Sequence, residues 1–231
     1  MQIRCRALLF DMDGVLVDST PAVARVWTAW ANRFGLVPAE VVRQAHGRPS
    51  IATIRELLPS ADHSAENQII EKAEIEDVQD VIALPGTRQL LDALPPDRFA
   101  VVTSASHALA VVRLRAAGFA IPKHLVTASD IQHGKPHPEP YLRGAQSVAA
   151  APAACVVIED APAGIQSGKA AGSRVLALRT TTADSALQAA GTDWIVTDCS
   201  NIYLPPVEED KDLLLELRAG GQRRFDDQDQ P

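Results

Sequence analysis

Residues 7–18 read ALLFDMDGVLVD. An apolar run, Ala7 to Phe10, meets two carboxylates, Asp11 and Asp13, and then Gly14 and a second apolar run from Val15 to Val17. Ionised carboxylates at the end of a hydrophobic strand are costly unless something pairs with them. Side chains alternate along an extended strand, so Asp11 and Asp13 share a face and Met12 points away. The stretch therefore predicts a buried strand that delivers two acidic groups to one place. Their partners must lie elsewhere in the chain.

Similar short apolar runs mark further strands. The first strand covers 6–10 (RALLF), and others follow at 99–103 (FAVVT), 124–127 (HLVT), 155–159 (CVVIE), 174–178 (RVLAL) and 194–197 (WIVT). Uninterrupted apolar strands suit the interior of a parallel sheet covered on both faces. Helical patterns lie between them at 86–94, 107–117, 138–149 and 162–171. This β-α-β-α rhythm implies a doubly wound sheet with right-handed crossovers.

Residues 15–83 break the rhythm. Val23, Val26, Trp27, Trp30, Ala31 and Phe34 follow the spacing of an amphipathic helix, a second helical pattern covers 51–58, and a third, weaker one covers 64–82. Pro85-Gly86 then marks the return of the β-α pattern. The expected architecture is α/β: a doubly wound Rossmann-like parallel sheet core with an inserted all-helical cap domain. The core is expected over 1–14 and 84–206, the cap over 15–83, and a polar C-terminal tail over 207–231. Within that tail, DLLLELR is a candidate for a last helix or an edge strand.

Composition narrows the function. Of 231 residues, 46% are apolar and 22% charged, the balance of a globular protein with a sizeable core. The net charge of −7 gives no footprint for nucleic acid, and any phosphate recognition must be local. Cys5, Cys155 and Cys199 are scattered, which suggests reduced, buried thiols and a cytoplasmic protein. No signal-peptide pattern and no apolar run of membrane-spanning length is present, so no membrane partner is expected. A monomer or weak dimer is expected.

Ligands of a doubly wound sheet bind at the carboxyl ends of its strands. There the sequence places Asp11 and Asp13, then Thr103 and Ser104, then Glu159 and Asp160, with Lys135 in the loop Gly134-Lys135-Pro136. Each has a plain structural reading alone: a helix cap, a solvated lysine. Together, in this order, they form a set suited to phosphoryl transfer. Clustered carboxylates repel one another unless a hard cation such as Mg²⁺ bridges them. A cation, an ammonium and a hydroxyl can offset the charge of a transferring phosphoryl group. One carboxylate can then attack phosphorus, while a second serves as general acid and base.

The segments FDMDGVLVDS, VVTSAS, GKPHPEPY and VVIEDAPAGIQSGKAAG resemble motifs one to four of the haloacid dehalogenase-like (HAD) superfamily, over about residues 6–200. The resemblance implies Mg²⁺ as cofactor and a phosphate ester as the small-molecule partner. It implies Asp11 as nucleophile and Asp13 as general acid/base, with the Asp13 backbone carbonyl also on the metal. Lys135 would steady nucleophile and phosphate. Gly14, with Thr103 or Ser104, would lie at the phosphate, the register of TSAS leaving both hydroxyls open. Asp160, supported by Glu159, would complete the Mg²⁺ site.

Asp13 speaks against a dehalogenase, because a halide leaving group needs no proton. A β-phosphoglucomutase-type enzyme shares all four motifs, but its histidine near the start of the first cap helix aligns with Val23 here. The segments DSTPAVARVW and HGRPS instead resemble the sugar, hexitol and glycerol phosphatase branch, which makes His46 and Arg48 candidates for substrate hydroxyls or, alternatively, for a helix cap. A phosphoglycolate-type phosphatase and a silent HAD-fold binding module are the remaining alternatives, though none of the module's expected losses is seen. His133 and His137 flank the lysine loop without a metal-ligand spacing and read as surface residues.

Overall fold

The structure, a computed structural model, describes residues 1–45, 47–206 and 211–218. The chain begins with β1 (Gln2–Cys5), β2 (Ala7–Phe10) and the short β3 (Val17–Asp18). Four helices follow: α1 (Thr20–Arg33), α2 (Pro38–Ala45), α3 (Ser50–Leu57) and α4 (His63–Glu76). The chain returns through β4 (Ile82–Ala83), α5 (Thr87–Asp92), β5 (Phe99–Val102), α6 (His107–Ala116) and β6 (Leu125–Val126). Then come α7 (Glu139–Ser147), β7 (Cys155–Glu159), α8 (Pro162–Ala170), β8 (Arg174–Leu178), α9 (Asp184–Ala189) and β9 (Trp194–Val196). β10 (Ile202–Tyr203) and β11 (Leu213–Leu217) close the described chain.

Six strands form one parallel sheet in the order β6-β5-β2-β7-β8-β9. The expected doubly wound sheet is thus present, each strand lying within two residues of its apolar run. Both faces are covered, which is why the strands read as unbroken apolar runs. Leu8, Phe10, Val101, Val156 and Ile158 pack on one face with Leu109 and Leu114 of α6. Ala7, Leu9, Val102 and Val157 pack on the other with Tyr141 of α7, Ile165 of α8 and Leu187 of α9. Strand order reverses between β2 and β7, so the carboxyl ends of those two strands flank the crevice where such sheets bind ligands.

Helices α1 to α4 enclose an apolar cluster of their own, centred on Trp27, Trp30, Val41, Ile54 and Ile70. Trp27 and Trp30 meet edge to face at 5.4 Å. The connections into and out of these helices run side by side, with β3 and β4 pairing antiparallel, Val17 opposite Ala83. The segment contains one helix more than the apolar spacing indicates. In α2 only Val41 and Ala45 are buried, too few to announce the helix by period.

The stretch read as a polar tail contains structure. β11 pairs antiparallel with β1 and β10, and Leu213 and Leu215 are fully buried beneath it. Alternating leucines in LLLEL fit a strand with one covered face, which settles the choice between helix and strand. All three cysteines are free and buried; burial pushes the thiols of Cys5 and Cys199 up to about 12. Among the described residues no helix is long and apolar enough to cross a membrane.

Leu213→Ala should destabilise the protein by about 2–5 kcal/mol, the usual range for emptying a buried leucine site. Chemical denaturation measures it, and an unchanged midpoint would show that β11 adds nothing to the core.

Candidate active site

Three chain segments meet at Lys135, which is 6% exposed. Its ammonium donates to Asp11 Oδ1 at 2.5 Å, Glu159 Oε1 at 2.7 Å and the Val102 carbonyl at 3.2 Å. β2 ends just before Asp11, whose N–H donates to the Ile158 carbonyl of β7 at 2.9 Å. Glu159 is the last residue of β7 and is held on every side. Tyr141 donates to its Oε1 at 2.7 Å, and the N–H groups of Asp160 and Ala161 donate to its Oε2 at 3.0 and 3.2 Å. Burial opposes the charge on Lys135, but Asp11 and Glu159 outweigh it and hold the ammonium above the ordinary lysine range. Burial pushes the Asp11 carboxyl well up; Lys135 pulls against this, while Glu159 and Asp160 push further.

Asp11, Glu159 and Asp160 bring carboxylate oxygens within 4.8 Å of one another. Three acidic side chains are gathered around the one ammonium of Lys135, which concentrates acidic charge in a buried place. An all-oxygen donor set with that charge suits a hard divalent cation. Glu159 spends its oxygens on Lys135, Tyr141 and two backbone N–H groups, so Asp11 and Asp160 are the carboxylates with capacity for the ion. Thr181 donates its hydroxyl to Asp160 Oδ2. Gly14, at φ +81°, passes so close that a Cβ there would lie 2.1 Å from Asp160 Oδ2. Gly164 of α8 makes room in the same way for Glu159, whose Oε1 would stand 1.6 Å from a Cβ. The glycines of DMDG and DAPAG thus shape the acidic cluster.

Asp13 points elsewhere. Ser19 donates to its Oδ1 at 2.5 Å and Arg113 Nη1 to its Oδ2 at 3.1 Å. Arg113, 4% exposed, also meets Glu74 of α4 at 3.4 Å, and Trp27 Nε1 donates to that glutamate at 3.2 Å. Burial works against the Arg113 charge, but Asp13 and Glu74 hold it. The same burial pushes the Glu74 carboxyl up, with Arg113 opposing. One guanidinium therefore ties Asp13 to the helical segment.

Asp11, Asp13, Gly14, Thr103, Ser104, Lys135 and Glu159 line one cavity from the sheet side, and Trp27, Arg48, Ser50 and Asn67 line it from the helices. Thr103 Oγ1 accepts the Ala105 N–H at 3.1 Å, whereas Ser104 Oγ is buried without a hydrogen-bond partner. Ser104 is thus the buried hydroxyl that makes no bond within the chain, while Thr103 is engaged as an acceptor. Arg48 faces the cavity wall but donates to Glu56 at 2.9 Å. His46 lies outside the described residues. Ser19, Arg113, Glu74 and Thr181 were not evident as site residues from the sequence. Arg113 alone left a signal: it shares the buried face of α6 with Leu109, Ala110 and Leu114, an unusual place for an arginine without partners.

The haloacid dehalogenase-like hydrolase family model matches residues 5–172. Hexitol phosphatase A of Escherichia coli (strain K12) is 45% identical over 76% of this chain and 84% of that protein. Glycerol-1-phosphate phosphohydrolase 2 of Saccharomyces cerevisiae is 33% identical over 87% of this chain and 86% of that protein. A solved hydrolase from Pseudomonas syringae shares the fold at a TM-score of 0.76 and 24% identity, covering 84% of this chain and 94% of that one. The chain belongs to the haloacid dehalogenase-like hydrolase family. These phosphatase relatives bear out the resemblance to the sugar and polyol phosphatase branch.

Gly14→Ala should displace the Asp160 carboxylate and raise the divalent-cation concentration for half-maximal activity by at least about tenfold, as disturbed metal-site residues do. Gly35→Ala is the control: its φ is +65°, yet an added Cβ meets nothing within 4 Å. Equal cation dependence in both variants would mean that Gly14 does not shape the site.

Proposed function

We propose that the protein is a phosphatase that removes phosphate from small, uncharged sugar or polyol monophosphates through an aspartyl-phosphate on Asp11. One observation carries the substrate class. Each cationic side chain lining the cavity, among the described residues, is already paired: Lys135 with Asp11 and Glu159, Arg113 with Asp13 and Glu74, Arg48 with Glu56. The helix side adds Glu71, Asn67 and Ser50, groups that hydrogen-bond hydroxyls and repel a second anion. A carboxylate or second phosphate on the substrate would meet like charge, which costs several kcal/mol. This favours hydrolysis of neutral polyol phosphates over the phosphoglycolate and bisphosphate-dependent mutase readings.

In this reading Lys135 holds Asp11 Oδ1 and leaves Oδ2 to attack phosphorus. A divalent cation, Mg²⁺ by its donor set, would be held by Asp11, Asp160 and the Asp13 carbonyl and would neutralise charge on the phosphoryl oxygens. Ser104 donates to a phosphoryl oxygen. Asp13 gives a proton to the leaving alkoxide and later takes one from the water that hydrolyses the acyl phosphate. Arg113 and Ser19 position that carboxylate, and helices α1 to α4 act as a cap that covers the sugar and excludes water.

Two measurements test the proposal. Asp11→Asn should abolish Mg²⁺-dependent phosphate release; persistent turnover would refute the nucleophile. Across a substrate panel, kcat/KM for hexitol or glycerol phosphates should exceed that for phosphoglycolate and hexose bisphosphates by more than about tenfold, about 1.4 kcal/mol. Equal or inverted preference, or isomerisation without phosphate release, would overturn the substrate class.

A further inference from the structure

Among the described residues, a second group of metal-ligating side chains lies on the loop that carries Lys135. His133 and His137 stand two residues to either side of the lysine, and Glu139 opens α7. Each offers a nitrogen or oxygen within 4.8 Å of the others. His133 Nδ1 and Glu139 Oε2 are 3.1 Å apart. Two donors each about 2.1 Å from one ion stand roughly 3.0–3.4 Å apart, depending on the angle between them. The pair is already at chelating separation.

The carboxylate is also held in place. Glu139 Oε1 accepts the N–H of Gln132 at 3.0 Å, and Oε2 accepts the N–H of His133 at 2.9 Å. Such outer bonds orient carboxylates that ligate metals. The His137 ring lies beside that of His133, centroids 4.6 Å apart. Its Nδ1 accepts the Glu139 N–H at 3.2 Å, a long bond. Ligation through that nitrogen would hand the N–H to water at an open surface, where the His133 side chain is 62% exposed.

We infer that His133, His137 and Glu139 form a site for a first-row transition-metal dication of the Zn²⁺ class, separate from the acidic cluster. Imidazole with carboxylate favours Zn²⁺, Ni²⁺ or Cu²⁺, whereas Mg²⁺ prefers oxygen alone, so ligand chemistry sorts two ions to two places. The loop between the ligands does two jobs. It delivers the Lys135 ammonium to Asp11, and it receives the helical segment, since a Cβ on Gly134 would lie 2.8 Å from Pro49 Cγ. An ion bound here would clamp that loop from outside the cavity, a regulatory input distinct from the substrate.

The test is direct binding, independent of turnover. Zn²⁺ is titrated calorimetrically, in saturating Mg²⁺, into the full-length protein, the His133→Ala/His137→Ala variant and Asp160→Asn. The unaltered protein and Asp160→Asn should take up one equivalent with equal affinity, and the double variant should bind at least about tenfold more weakly. Co²⁺ should give a visible absorption band with the first two proteins only. Circular dichroism checks that the double variant, changed at exposed positions, is folded. Equal uptake by the double variant, or loss of uptake in Asp160→Asn, overturns the site.

Discussion

The buried contact of the Lys135 ammonium with Asp11 and Glu159 is the constraint on which the rest of the site depends. Removing one partner from a buried ion pair typically costs about 3–5 kcal/mol, because the other charge is left unpaired. Here three segments far apart in sequence are committed to the same contact. β2 and β7 lie side by side and set Asp11 beside Glu159; the loop after β6 supplies the lysine. Tyr141 and two backbone N–H groups fix the glutamate, and Gly164 clears the space that it fills. The sheet, the lysine loop and the helices packed beside them thus hold the nucleophile candidate still.

Asp13 is held differently. Its partners Ser19 and Arg113 precede α1 and belong to α6, and Arg113 reaches on to Glu74 of α4. A carboxylate proposed to move protons twice per turnover is thereby linked to the segment proposed to cover the substrate. The paired strands β3 and β4 form the only antiparallel ladder between those helices and the sheet among the described residues. The Arg113–Glu74 contact joins the Asp13 side of the site to the helices directly, whereas Asp11 is bonded to Lys135 and the sheet.

Much of this was legible in the sequence because the parallel strands are buried on both faces. Runs such as ALLF and CVVIE have no polar residue until their carboxyl ends, so the strands and the acidic residues at their ends announce themselves together. The weaker elements hid for physical reasons. β11 looked polar because its leucines sit among charged residues, and only the partner strand, more than two hundred positions away, makes them a covered face. Arg113 hid because arginine in a helix normally faces water, and its partners Asp13 and Glu74 come from other elements. The bonds that Glu159 makes to Lys135 and Tyr141 come from a loop and a helix, and no sequence pattern links them to the end of β7. Distance in sequence, more than weakness of pattern, concealed these residues.

The lysine-held carboxylate at the end of β2 is proposed as the group that takes the phosphoryl. Acid quenching during turnover, borohydride reduction and tandem mass spectrometry test it most directly, since reduction converts an acyl phosphate to homoserine at the position where it formed. Homoserine should form at residue 11 and at no other carboxylate. Homoserine at residue 13 or 160, or none at residue 11 under conditions of rapid turnover, would contradict it.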